Sequence, residues 1–194
     1  MNLNKLIREC AIRGLSGLEN LFGIPGTIGG AVSKNAGAYG VEVKDLITGA
    51  RIMNSEGNIE TLGRSDLGLS YRESSFNGIL IEASFSLSEG NPDKIQQQMK
   101  EIIKKRNLTQ PRGKTSGCIF KNPEPDLSAG YLLDRAGLKG FRVGGAIFSD
   151  IHANFIVNVD NASAEDIFSL IDEGKRRVFE KFGIKLEEEV VIIK

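Results

Sequence analysis

The sequence has no tryptophan, one histidine and two cysteines among its 194 residues. A disulfide-stabilised secreted domain needs more cysteines, which favours a reducing compartment, the cytoplasm. A structural zinc site takes about four Cys and His ligands at close spacing, and Cys10, Cys118 and His152 stand far apart. We therefore predict no metal site. A serine-hydrolase triad is also poorly supported, because only one histidine is available for it.

An excess of charge of one sign and long apolar runs are also missing. Lys plus Arg and Asp plus Glu number 25 each. This balance does not favour binding to a nucleic-acid backbone or an anionic membrane. The longest apolar runs, such as residues 190–193, are far too short to cross a bilayer. The amino terminus MNLNKLIREC carries charge where a signal peptide is apolar. We predict no nucleic-acid or membrane partner, and we expect a monomer.

The hydrophobic periodicity alternates between helical and strand patterns. Helices are predicted over residues 3–11, a short stretch from Ser16, 92–107, 128–137 and 163–182, and strands over 48–62 (a hairpin), 79–87, 117–120, 154–159 and 186–194. The breaker cluster Gln110-Pro111-Arg112-Gly113-Lys114 predicts a boundary between two domains. The predicted class is α+β, with mainly antiparallel strands in the first half.

Glycine is the residue in clear excess. The 23 glycines in 194 residues are roughly 12%, against a usual ~7%. They concentrate in residues 14–40 and 130–145, and the first stretch contains GIPGTIGGA. The spacing fits neither the dinucleotide-binding fingerprint nor a P-loop. Glycines still allow backbone N–H groups to approach an anion or a flat ring closely. A ligand-binding loop and a tight connection between packed helices remain equally good interpretations.

Three further positions have side chains suited to chemistry. Arg72, beside Tyr71 and two serines, has the fork that binds a carboxylate or phosphate, although a lone arginine is more often solvated. Cys118 is either a small core residue or a reactive thiol near Lys121. For His152 a structural hydrogen bond is the better interpretation.

The carboxylate run LEEE precedes an apolar segment near the carboxyl terminus. Side chains alternate along a strand, so Glu188 is expected to point opposite to Glu187 and Glu189. Most glutamates in such a run are solvated at a sheet edge. The pattern alone does not assign a function to any of the three.

Six blocks taken together resemble the UDP-N-acetylenolpyruvoylglucosamine reductases, the MurB family of peptidoglycan synthesis. The blocks are GLSGLENLFGIPGTIGGAVSKNAGAYG (14–40), YRESSF (71–76), SGCIFKNP (116–123), SAGYLLDRAGLKG (128–140), HANFIVN (152–158) and FGIKLEEEV (182–190). They follow the family's order and cover nearly the whole chain.

The resemblance implies a fold and a reaction. It implies an FAD-binding domain of the vanillyl-alcohol-oxidase type over residues 1–110, completed by a C-terminal strand at 184–194, and a substrate-binding domain over 111–183. NADPH reduces FAD, hydride passes to C3 of the enolpyruvyl ether of UDP-N-acetylglucosamine, and an acid protonates C2. The product is UDP-N-acetylmuramate.

The resemblance also implies roles for individual residues. Arg72 and Glu189 match the groups that polarise the substrate carboxylate, and Glu189 needs a raised pKa to donate a hydrogen bond. Tyr71, Lys121 and Asn122 match substrate-contact positions or lie beside them. The residues expected at the flavin and its phosphates are Gly23, Ile24, Pro25, Gly26, Thr27, Gly29, Gly30, Ala31, Asn35 and Gly37.

Two departures from the family pattern stand out. Cys118 replaces the usual serine proton donor, and a thiol is a stronger acid than an alcohol. The family's usual Gly-Ser-Asn turn, which holds the pyrophosphate, has no match before Met1-Asn2-Leu3. We therefore expect a fragment or a chain with a truncated start, and weakened flavin binding. The alternatives are a module that binds UDP-sugar without redox chemistry, and a flavoprotein subunit that needs a partner chain.

Overall fold

The computed structural model describes residues 1–193, which form two compact units. The first unit is Met1–Arg106 and the second starts at Asn107. The division lies in the last turn of a helix, Pro92–Thr109, a few residues before the predicted breaker cluster. Helices and short antiparallel strands occur in both units, which confirms the α+β class.

The first unit is built from short helices and antiparallel strands. In chain order its elements are α1 Leu3–Ile12, β1 Leu15–Ser16, a 3-10 helix Glu19–Leu21, α2 Ile28–Ser33, β2 Gly37–Ala38, β3 Val41–Glu42, α3 Val43–Leu46, β4 Ile47–Met53, β5 Ile59–Gly63, a 3-10 helix Arg64–Leu67, β6 Ile79–Phe85, β7 Ser88–Glu89 and α4 Pro92–Thr109. Buried residues of α1, α2, β4 and α4, among them Ile7, Val32, Ile47 and Met99, form its core.

The main sheet of this unit has the strand order β5-β4-β6 and is antiparallel throughout. Along β4, Ala50 and Ile52 are buried while Arg51 between them is exposed, as the two-residue period of a strand requires. The predicted hairpin over 48–62 is confirmed. Its turn contains Gly57 at φ 84°, a left-handed conformation that glycine adopts without strain.

The short helix predicted from Ser16 is replaced by a strand and a 3-10 turn. Ser16 pairs with Ser88 in an antiparallel bridge between β1 and β7. Gly17 follows at φ 137°, which a helix does not allow. The Glu19 carboxylate accepts a hydrogen bond from the Gly17 N–H at 2.7 Å instead of capping a helix from the third position. Pairing with a distant strand therefore overrides the local capping pattern.

The second unit packs two helices against a small antiparallel sheet. Its elements are α5 Ala129–Arg135, β8 Arg142–Val143, β9 Ala146–Phe148, β10 Ile156–Asn158 and α6 Ala164–Phe182. The sheet order is β10-β9-β8. Helix α6 begins at a Ser163–Asp166 capping box and ends at Gly183, as predicted. Buried side chains of α5, β9 and α6, including Leu133, Phe148 and Leu170, form the core.

The C-terminal residues group with the second unit, which differs from the prediction that 184–194 complete the first domain. Leu186 is buried in the second core, and the Lys121 N–H donates to the Glu187 carbonyl at 2.8 Å. Among the described residues, neither 184–193 nor 117–120 forms a regular strand. They meet at an isolated bridge between Phe120 and Glu188. Within the described residues, no helix is long and apolar enough to cross a membrane.

Candidate active site

Arg72 lies at the tip of a tight turn in the first unit. The flanking residues Ser70 and Glu73 exchange backbone hydrogen bonds of 3.1 and 3.3 Å, and Arg72 has φ 60°, in the left-handed region. Its guanidinium Nη1 donates to Glu42 Oε1 at 3.2 Å, and Nη2 donates to the Gly37 carbonyl at 3.1 Å. The Arg72 side chain is only 19% exposed. The arginine is therefore held in place, unlike a solvated surface arginine.

The turn that carries Arg72 is tied to the rest of the unit by Asn35. This side chain is fully buried. Its Nδ2 donates to Glu42 Oε2 at 2.9 Å and to the Ser70 carbonyl at 2.8 Å, and its Oδ1 accepts from the Lys44 N–H at 2.8 Å. Asn35 was predicted to contact the cofactor, but in this structure its side chain bonds to protein groups. The sequence analysis did not find Glu42, whose significance depends on contacts with distant residues.

The predicted flavin-contacting residues Gly23 to Ala31 lead into α2. The loop approaches α1 through a hydrogen bond from the Leu3 N–H to the Gly26 carbonyl at 3.1 Å. Thr27 caps α2, since its hydroxyl accepts from the Gly30 N–H at 3.1 Å. Ile24 is half-buried, Pro25 is exposed, and Ala31 is buried in the core.

Two glycines of this loop are not needed for packing. A Cβ at Gly29 meets Thr27 Oγ1 at 3.8 Å and Leu80 Cβ at 4.0 Å, which are ordinary contacts, and a Cβ at Gly30 meets only Thr27 Oγ1 at 3.6 Å. Both lie inside α2, where glycine costs about 1 kcal/mol relative to alanine. Since a Cβ is tolerated at both positions, packing does not require glycine there, and the lack of a side chain fits a flat ring or phosphate that approaches the backbone closely.

Cys118, Lys121 and Glu189 belong to one patch of extended backbone in the second unit. Cys118 forms an isolated bridge with Phe155, and the Glu189 N–H donates to the Ile119 carbonyl at 2.7 Å. Lys121 Nζ pairs with Glu187 Oε1 at 2.7 Å. Cys118 and Glu189 are each half-buried.

Two of the three consecutive glutamates, Glu187 and Glu188, form ion pairs with different lysines. Glu187 pairs with Lys121, while Glu188 pairs with Lys175 of α6 at 2.5 Å. Burial acts to raise the Glu188 pKa, but the Lys175 hydrogen bond, a backbone hydrogen bond and the Lys175 charge together outweigh it, so the pKa is lowered. Glu187 and Glu188 therefore pair with different lysines, and the opposite orientation expected from strand alternation stays a prediction. A raised Glu189 pKa stays a prediction.

The remaining predicted substrate residues have defined positions. Asn122 Oδ1 accepts from the Ala129 N–H at 3.1 Å, at the start of α5. Tyr71 is 40% exposed, and its ring centroid lies 4.7 Å from the guanidinium carbon of Arg72. Arg72 and Tyr71 belong to the first unit, and Cys118, Lys121, Asn122 and Glu189 to the second.

Among the described residues, no group of three or more His, Cys, Asp or Glu could hold a metal ion.

His152 has the structural role that the sequence analysis favoured. Its Nδ1 accepts a hydrogen bond from the Asn154 N–H at 3.2 Å, and its ring lies edge-on to Phe155 at 4.9 Å. Burial, followed by the nearby Lys139 charge, lowers the His152 pKa below its ordinary value. A neutral imidazole keeps Nδ1 free to accept this bond.

Two family models match separate parts of the chain. The FAD binding domain matches residues 1–63, and the C-terminal domain of UDP-N-acetylenolpyruvoylglucosamine reductase matches residues 109–193. The crystal structure of UDP-N-acetylenolpyruvylglucosamine reductase (MurB) from Thermus caldophilus aligns with a TM-score of 0.86 at 40% identity, over 97% of this chain and 68% of that one. This chain belongs to the MurB family.

Curated members of the MurB family match over nearly all of this chain. The UDP-N-acetylenolpyruvoylglucosamine reductase of Lachnoclostridium phytofermentans is 44% identical over 100% of this chain and 63% of the relative. That of Bacillus subtilis is 42% identical over 97% of this chain and 64% of the relative. The chain therefore spans a little under two thirds of the length of these relatives.

Proposed function

We propose that this chain provides the substrate-binding and part of the flavin-binding machinery of a UDP-N-acetylenolpyruvoylglucosamine reductase. The reaction reduces the enolpyruvyl ether to UDP-N-acetylmuramate for peptidoglycan synthesis. The observation that carries the proposal is the anchored guanidinium of Arg72, held by Glu42 and Gly37 at the tip of its turn. A fork fixed in this way is suited to binding a carboxylate through two parallel hydrogen bonds.

FAD fits the glycine loop, where Gly29 and Gly30 leave room against the backbone of α2. We propose that residues 23–31 contact the flavin and its phosphates. When bound, FAD supplies the hydride that NADPH delivers to it. The sequence has only two cysteines, far apart along the chain, which supports a reducing compartment, and we assign the activity to the cytoplasm.

The chain's own residues then stabilise charge and supply the proton. Hydride addition at C3 of the enol ether moves negative charge from the double bond toward the substrate carboxylate. Arg72 lowers the barrier by holding positive charge at that carboxylate, and Glu189, protonated, donates a hydrogen bond to it. Cys118 donates its thiol proton to C2, and the thiolate recovers a proton from solvent. Tyr71, Lys121 and Asn122 hold the rest of the substrate.

The first test is titration of the purified chain with FAD, in which binding is monitored by absorbance and fluorescence. Binding followed by bleaching of the flavin absorbance on addition of NADPH supports the proposal. Binding of UDP-sugar without flavin favours the alternative of a binding module without redox chemistry. Flavin binding only with a second, co-purifying chain favours the alternative of a subunit.

The second test replaces Arg72 in a chain that turns over substrate. Arg72→Ala is expected to lower kcat by about 100-fold, because one preorganised charge at the reacting group contributes that much. Arg51→Ala is the matched control, since Arg51 pairs with Glu82 at 3.1 Å on the exposed face of β4. Equal activity of the two variants contradicts the role of Arg72.

A further inference from the structure

Glu42 makes contacts that its place at the start of α3 does not require. Its Oε1 accepts from Arg72 Nη1 at 3.2 Å, and its Oε2 accepts from Asn35 Nδ2 at 2.9 Å and from Lys44 Nζ at 2.7 Å. The side chain is 20% exposed. Oε1 of Glu42 therefore faces the Arg72 guanidinium, while Oε2 is held by Asn35 and Lys44.

The backbone at Arg72 does not by itself fix the direction of the guanidinium. Arg72 has φ 60°, which non-glycine residues rarely adopt, in a turn whose ends are joined by the backbone hydrogen bonds between Ser70 and Glu73. The same Asn35 amide that bonds to Glu42 also bonds to the Ser70 carbonyl at 2.8 Å. The buried Asn35 side chain thus fixes both the base of the turn and the Glu42 carboxylate.

Gly37 shows how closely this pair is packed. A Cβ at Gly37 meets Glu42 Cγ at 2.6 Å and Arg72 Nη1 at 3.2 Å. Any side chain at this position pushes the two partners apart. Glycine here leaves room for the ion pair and also offers its carbonyl to Arg72 Nη2 at 3.1 Å.

We infer that Glu42 is a positioning residue that orients the Arg72 guanidinium toward a ligand carboxylate. The inference rests on the proposed function, in which Arg72 binds the substrate carboxylate. Glu42 accepts a hydrogen bond from Nη1 of the Arg72 guanidinium, and this bond helps to fix the direction in which the planar group points. Without it, Arg72 keeps its charge and its hydrogen bond to the Gly37 carbonyl but loses the contact that holds Nη1, and the affinity for a carboxylate depends on both charge and orientation.

The test compares two ligands that differ at the carboxylate. UDP-N-acetylmuramate carries a carboxylate on its lactyl ether, and UDP-N-acetylglucosamine lacks that ether. Their affinities for the full chain are measured by calorimetry. Glu42→Ala is expected to weaken binding of the first roughly tenfold and to leave the second unchanged, because only the first needs an oriented fork. Glu42→Gln keeps an acceptor oxygen and is expected to recover part of the loss.

Three further variants separate positioning from folding. Gly37→Ala keeps Glu42 and Arg72 but is expected to reproduce the selective loss of the carboxylate ligand by displacing the pair. Glu82→Gln, which removes the charge of another arginine partner in the same unit, is expected to change neither affinity. In an Arg72→Ala background, Glu42→Ala is expected to have no further effect on either ligand.

The outcomes distinguish this inference from the proposed function. A wild-type chain that binds both ligands equally overturns the role of Arg72, and the inference with it. A wild-type chain that prefers the carboxylate ligand, with Glu42→Ala keeping that preference within twofold, overturns the inference alone. Equal weakening of both ligands by Glu42→Ala also overturns it, since that result indicates general loss of structure.

Discussion

The side-chain amide of Asn154 forms a closed pair of hydrogen bonds with the backbone of Phe120. The Phe120 N–H donates to Oδ1 at 2.9 Å, and Nδ2 donates to the Phe120 carbonyl at 2.8 Å. Asn154 is 2% exposed, and its own carbonyl accepts from the Ile119 N–H at 2.9 Å. One buried side chain thus takes the place of a partner strand beside the segment that carries Cys118.

Replacing Asn154 is expected to destabilise the second unit. Asn154→Ala leaves the buried N–H and carbonyl of Phe120 without these partners, and each such group costs roughly 1–3 kcal/mol. We expect the free energy of unfolding to fall by about 2–4 kcal/mol. Urea denaturation followed by circular dichroism measures it. Asn58→Ala, at an exposed turn, is the control and is expected to change stability by less than ~0.5 kcal/mol. Equal stabilities of the two variants contradict the role of Asn154.

His152 is expected to make folding less favourable in mild acid. Burial and Lys139 lower its pKa in the folded state below the ordinary value of 6.5, so the unfolded chain binds the proton more tightly. The free energy of unfolding therefore falls as the pH drops through 6.5 toward the folded-state pKa, and is restored as the pH rises. The titration of the histidine Cε1–H signal by NMR gives the folded pKa directly, because the chain has one histidine.

A control variant isolates this effect from carboxylate titration. His152→Gln is expected to remove the dependence of stability on pH near neutrality while the acid transition of the carboxylates remains. A folded-state His152 pKa at or above 6.5 contradicts the prediction, as does an unchanged pH dependence in the variant.

Gly29→Ala is expected to keep the stability of the chain and to lower its affinity for FAD. A Cβ at Gly29 makes only ordinary contacts, and alanine is favoured over glycine in a helix by up to about 1 kcal/mol, so the thermal midpoint should stay the same or rise. The affinity for FAD should fall, because the Cβ occupies the space proposed for the cofactor. Ser33→Ala, at the other end of α2, serves as the control for both measurements. Unchanged FAD affinity in Gly29→Ala argues against this loop as the flavin site.

Cys118 is expected to be the thiol that iodoacetamide modifies. Cys10 is 7% exposed, and burial raises its pKa, so less of the reactive thiolate forms there. Peptide mass spectrometry after limited alkylation measures the two sites separately. Alkylation should abolish turnover in the wild-type chain and in Cys10→Ala, while Cys118→Ser should retain turnover and resist the reagent. Full turnover after verified alkylation of Cys118 rules it out as the proton donor.

Local patterns in the sequence were sufficient for much of the secondary structure. The hairpin of β4 and β5 follows from period-two alternation around a glycine turn, and α6 follows from its capping box and terminal Gly183. These signals involve residues only a few positions apart. The same kind of signal failed at Ser16, because its partner Ser88 lies 72 positions away (88 − 16 = 72) and the pairing decides the conformation.

The sequence by itself determined the α+β class and the family, and it predicted a boundary between two domains and a set of candidate site residues. Only the tertiary structure decided that 184–193 pack within the second unit, that Asn35 is a buried support, and that Glu42 holds Arg72. The reason is physical. The deciding contacts include hydrogen bonds between residues 30 or more positions apart, such as Glu42 with Arg72 and Phe120 with Asn154. No local periodicity specifies which distant backbone or carboxylate a buried polar group will meet.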